Sequence, residues 1–146
     1  MSIAILPVTL TAAGAAALIN LWLAIRAGAS RSAIGGGLGD GGNARVLART
    51  RAHANFAEYT PFVLILIAVI ELAEGTSLWL AIVSGAYFVA RLAHPFGMDG
   101  TFKQGRFVST IVSLLVLLGL GGYALSLPYR LAKPAPVAVE APPSRG

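Results

Sequence analysis

The chain has no cysteine. Disulfide scaffolds, thiolate metal sites and a cysteine nucleophile are thereby excluded, and the redox compartment is left open. Charge is scarce as well: 12% of the 146 residues are Asp, Glu, Lys or Arg, against about 25% in an ordinary soluble protein. Only two histidines occur, His53 and His94, which gives a metal site little to build on. Hydrophobic residues take up the difference, at 56% of the chain. A soluble domain this small could not hide so much apolar surface, whereas a lipid-facing bundle needs no polar shell at mid-depth. The length suits one domain, and the expected class is an all-α integral membrane protein. The net charge of +5 does not point to nucleic acid. The basic residues are spread over two loops and a tail, with no basic, aromatic-studded domain.

A hydrocarbon core about 30 Å thick needs about 20 helical residues. Residues 3–25 form an uncharged run of that kind. It lacks a basic leader and exceeds the h-region of a signal peptide, about 7–15 residues, so it reads as a retained first helix. Residues 26–48 are a Gly-rich connector holding Gly35-Gly36-Gly37, Gly41-Gly42, Arg26, Arg31 and Arg45. With no GKS or GKT ending and no preceding strand, it is not a phosphate loop. The second helix is expected over about 50–73, starting near Arg49 or Arg51 so that it spans, with Pro61 loosening it near the Ala57 carbonyl. The third is expected over about 78–94, stopped by Pro95 and Gly97. After a polar loop, the fourth runs over about 106–127, completing a four-span domain over residues 1–127. From Pro128 to the end, five prolines among Ala, Val and Ser predict a disordered tail, 128–146.

Orientation follows from Lys and Arg. Arg26, Arg31, Arg45, Arg49, Arg51, Arg91, Lys103 and Arg106 fall on one side; Arg130, Lys133 and Arg145 fall on the other. The positive-inside rule puts both basic loops in the cytosol and both termini outside.

At about 100° per residue, Arg51, Asn55 and Glu58 lie within roughly 60° of one another on the second helix, at spacings that stack side chains on one face. Ionisable groups at the edge of the hydrocarbon face the bundle interior and a partner, which makes them functional candidates. Arg91 and His94 end the third helix at the same depth, Arg106 opens the fourth, and Arg26 closes the first. Two readings fit this spacing. Arg51 and Glu58 form a structural ion pair at a helix entry, with the other arginines as interfacial anchors; or the group grips a shared anion. His94 by itself reads as a packing or hydrogen-bonding residue more than as a catalyst, and His53 lies off the Arg51–Glu58 face. Glutathione suits the anion reading. Guanidinium groups hold its two carboxylates, Glu58 its ammonium and Asn55 a peptide group, while a neighbouring arginine favours its thiolate. Lipophilic electrophiles would arrive through the bilayer. A channel is disfavoured, since no polar path crosses the membrane.

The stretch Arg51-Ala52-His53-Ala54-Asn55-Phe56-Ala57-Glu58-Tyr59-Thr60-Pro61 resembles the RAxxNxxEYxP signature of the MAPEG family, the membrane-associated proteins of eicosanoid and glutathione metabolism. Ala90-Arg91-Leu92-Ala93-His94, followed by an arginine opening the fourth helix, is similar as well, and the likeness covers residues 3–127. The resemblance, to a bacterial member of the microsomal glutathione transferase type, implies a four-helix bundle assembled as a homotrimer in an inner membrane, with glutathione as co-substrate bound between subunits. It implies that Arg51, Asn55, Glu58 and Tyr59 contact glutathione, that Arg26 and Arg91 bind its carboxylates, that His94 lies on the pocket wall, and that Arg106 holds the thiolate. Met98 stands where the family has a tyrosine, one turn beyond His94. The alternative within the same fold is a binding or structural protein without turnover.

Overall fold

A peptide group in lipid has no water to bond, so each apolar run must satisfy its backbone internally, as a helix does. The computed structural model describes residues 5–132. Residues 3 and 4 of the expected first helix and residues 133–146 of the expected tail lie outside that range. Four helices follow in order: α1 Pro7–Ser32, α2 Ala44–Glu74, α3 Leu78–Met98 and α4 Lys103–Leu131. All four are long and apolar enough to cross a membrane, and no strand occurs among the described residues. The 21 residues of α3 rise roughly 31 Å, about the thickness of the hydrocarbon core. The 31 residues of α2 rise roughly 46 Å, so α2 must extend beyond it.

Each helix runs past the sequence expectation at one end at least, for local reasons, although α1 begins only at Pro7, with Ile5 and Leu6 outside it. Continuing past Ile25 through alanines, α1 stops only where Gly35, Gly36 and Gly37 take positive φ and the Gly36 N–H donates to the Arg31 carbonyl at 3.0 Å. In α2 the start lies near residue 44 rather than near Arg49 or Arg51, because the Asn43 side chain accepts from the N–H groups of Arg45 and Val46 at 3.0 and 3.2 Å. That is an ordinary Asn cap. Pro95 and Gly97 do not stop α3, which runs on to Met98. A proline costs the helix one N–H and crowds the preceding turn, but here the Asp99 N–H returns to the Pro95 carbonyl at 3.0 Å and closes the end. Pro61 and Pro128 likewise lie inside α2 and α4, so the expected tail is helical as far as Leu131.

Within the bundle α2 packs against each of the other helices, while α1 also meets α3, and α3 and α4 form a close hairpin. The core is a seam of Ala12, Leu23, Phe56, Val63, Ile67, Ile70, Leu80 and Tyr87. Leu18, Ile25, Ile65, Leu118 and Leu125 point outward and are exposed; such an apolar exterior needs lipid or another apolar surface around it.

Two polar features tie the ends and the middle. Pro7 opens α1, and no side chain of its own caps it. Glu71, 1% exposed, supplies the acceptors from α2. Its carboxylate takes the Val8 N–H at 3.0 Å, the Thr9 N–H at 2.8 Å and hydroxyl at 2.7 Å, and the Thr76 hydroxyl at 2.9 Å. The negative charge also complements the positive end of the α1 dipole. At mid-bundle the Thr60 and Tyr87 hydroxyls pair at 3.0 Å between α2 and α3.

Candidate functional site

The α2 spacing of four and three residues puts Arg51, Asn55 and Glu58 on the wall of one cleft, of about 540 Å³, together with Ala44, Ala48 and Ala54. Those alanines leave the space that larger side chains would fill. The final turns of α3 add His94, Gly97 and Met98, and the opening turns of α4 add Arg106 and Thr110. Three helices therefore deliver two guanidinium groups, a carboxylate, an amide and an imidazole to one concavity. The volume falls in the ordinary range for small-ligand sites, about 300–1,000 Å³.

The α3–α4 approach decides how Arg106 arrives. A methyl group built on Gly97 would overlap the backbone N of Arg106, and one built on Gly105 would lie 2.5 Å from the Ala93 carbonyl oxygen. Two missing side chains thus let the hairpin close until Arg106 reaches the His94 side of the cleft. Gly97, which reads in sequence as a helix stop, works as a contact surface.

The salt bridges among the described residues are Arg26–Asp99 and Arg49–Asp99. Arg51 and Glu58 do not pair with each other, so the structural ion-pair reading of the α2 motif is not realised. Arg106 has no carboxylate partner among these residues either. Arg51, Glu58 and Arg106 are exposed, and with no salt bridge to them among the described residues their charges are open to a charged guest.

Three of the implied ligand contacts lie behind or beside this wall. Arg91, 1% exposed, does not line the cleft. It donates from Nη1 to Asn55 Oδ1 at 2.8 Å, and its guanidinium sits 5.5 Å from the Phe56 ring centre and 6.0 Å from that of Tyr59. Tyr59 is thus a neighbour of Arg91 and is not on the cleft lining. Arg26 is paired with Asp99 and lies 4.9 Å over the Trp22 ring; burial of its charge is offset there and not in the cleft. His53 binds Asn20 on α1 at 3.1 Å, off the cleft-facing side of α2. His94 is buried, and its Nδ1 has no hydrogen-bond partner among the described residues.

Sequence reasoning does not single out Asp99. It follows the last helical residue of α3, where a carboxylate near two basic helix ends would be a signal only once α1 and α2 are known to end beside it. Among the described residues no three His, Cys, Asp or Glu side chains gather as a metal site would require.

Comparison with curated proteins finds no match, and comparison with solved structures finds none. The MAPEG family model matches residues 9–126, which reaches into all four helices and takes in every cleft residue, and this integral membrane protein therefore belongs to the MAPEG family.

Proposed function

We propose that the cleft binds glutathione and that the chain is a glutathione transferase, or a glutathione-dependent peroxidase, acting on lipophilic electrophiles. The observation that carries this reading is the gathering of Arg51, Asn55, Glu58, His94 and Arg106 in one cleft, whose charges have no salt-bridge partner among the described residues. Family membership supports the choice of glutathione among anionic guests.

In this reading Arg51 holds a carboxylate, Glu58 the ammonium and Asn55 a peptide oxygen, while Arg106 faces the thiol. The thiol proton leaves to water, and the Arg106 charge stabilises the thiolate that remains. With an aryl halide the sulfur forms a bond to the ring carbon, the carbon–halogen bond breaks, and halide departs. Substrate dissolved in lipid enters from the side of the bundle. The basic end belongs in the cytosol of a bacterial inner membrane, with both termini outside, and the copies assemble as a homotrimer. That end carries Arg26, Arg45, Arg49, Arg51 and Lys103 as well as the cleft.

A second reading, binding without turnover, is favoured by one observation: Met98 lines the cleft and brings no hydroxyl. Calorimetric titration of glutathione into the detergent-solubilised protein, repeated with Asn55→Ala, tests binding. Turnover over a panel of aryl halides and hydroperoxides, repeated with Arg106→Ala, tests chemistry. Saturable binding with turnover lost in Arg106→Ala supports the transferase, and binding with no turnover in the unaltered protein supports the second reading. Absence of glutathione binding overturns both.

A further inference from the structure

An asparagine side chain offers an acceptor and a donor, and nothing in its own chemistry decides which end meets a ligand. Here the neighbour decides. A guanidinium group has only donors, so the atom that Arg91 Nη1 meets at 2.8 Å must be the amide oxygen. Arg91 is 1% exposed, stacked near Phe56 and Tyr59, and cannot swing away without opening a buried space. The geometry points to Arg91 as a positioning residue that locks the Asn55 amide with its NH₂ group towards the cleft, so that position 55 donates and recognises only an oxygen acceptor. This rests on the glutathione reading and sharpens it. Along the α2 wall the cleft then offers donor, donor and acceptor at Arg51, Asn55 and Glu58. A guest must answer with oxygen acceptors at the first two positions and a donor, such as an ammonium, at the third. Arg91 acts on the ligand through Asn55 and never touches it.

Asn55→Asp separates the lock from the donation. Its carboxylate keeps the contact to Arg91, in charge-assisted form, and its second oxygen is available to Arg91 Nε, which is buried without a partner among the described residues. The ligand-free variant should melt at or above the temperature of the unaltered protein. Towards the cleft it replaces a donor by an acceptor, and glutathione affinity should fall roughly ten- to a hundredfold. Arg91→Lys should keep most of the affinity, and Arg91→Gln, whose amide can turn either way, should lose roughly tenfold. A melting temperature for Asn55→Asp as low as that of Asn55→Leu would overturn the lock, whether or not glutathione binds. Unchanged or tighter glutathione binding by Asn55→Asp would overturn the donor assignment. Failure of the unaltered protein to bind glutathione would instead overturn the functional reading, and leaves the melting comparison to decide the lock.

Discussion

Gly97→Ala is the most incisive perturbation the fold offers, because a single methyl group meets backbone. Besides overlapping the Arg106 nitrogen, the new carbon would lie 3.0 Å from both Cα and Cβ of Arg106, where ordinary carbon contacts sit at about 3.5–4.0 Å. No rotamer of a neighbour relieves this, since N, Cα and Cβ of Arg106 move only with the α4 main chain. The start of α4 must therefore recede by roughly 1 Å or more to restore contact distance. Overpacking of that kind costs about 1–3 kcal/mol. The same movement carries Arg106 out of register with the rest of the cleft, and a displacement of about 1 Å can lower a rate roughly a hundredfold. Thermal melts in detergent, followed by glutathione-dependent turnover or titration, read both effects. Gly85→Ala in the same helix is the control: its methyl group would meet nothing within 4 Å. Replacing a helix-interior glycine there should leave stability unchanged or raise it by up to about 1 kcal/mol. If Gly97→Ala melts and turns over like Gly85→Ala, the α3–α4 hairpin is not closed as described, and the route by which Arg106 reaches the cleft is refuted.

Two further outcomes follow from the polar ties. Glu71→Gln keeps one acceptor oxygen but turns an NH₂ group towards donors from Val8, Thr9 and Thr76. Leaving one buried donor unpaired should lower stability by about 1–3 kcal/mol, and proteolysis should attack the start of α1 first. Equal stability in a melt would show that the carboxylate is not the cap of α1. A double-mutant cycle of Thr60→Val and Tyr87→Phe should return a coupling of about 0.6 kcal/mol, the usual size of a hydrogen bond between membrane helices. A coupling indistinguishable from zero would count against the contact at 3.0 Å.

These ties show where an ionisable residue in a membrane helix can mislead. Glu58 and Glu71 both sit on α2 with apolar neighbours, and charge scarcity marks each of them equally. One opens into a cleft with no ionic partner among the described residues, and the other is sealed by four donors from α1 and the α2–α3 turn. Only the partner helix distinguishes a site from a cap. The same holds for the arginines. Arg26, Arg91 and Arg106 all lie at the basic end, yet Asp99 takes the first, Asn55 the second, and the cleft keeps the third.

Helix count, membrane class and the polar face of α2 were legible along the chain because they depend on local quantities: hydrophobic run length, charge spacing and the helical repeat. The ends were less legible. Pro95, Gly97 and Pro128 signal termination to a local reading, and it is the packed hairpin and the returning backbone hydrogen bonds that make continuation affordable. The apolar composition and the length of the hydrophobic runs determined by themselves that the chain lies in lipid as helices, since runs of about 20 residues match a helical span and a helix satisfies its own peptide groups there. Which polar groups face each other was decided only in three dimensions, because pairing depends on the close approach of helices that are distant in sequence. Arg51 and Glu58 share a helix and stay apart, while Arg91 and Asn55, separated along the chain by the passage out along α2 and back along α3, meet.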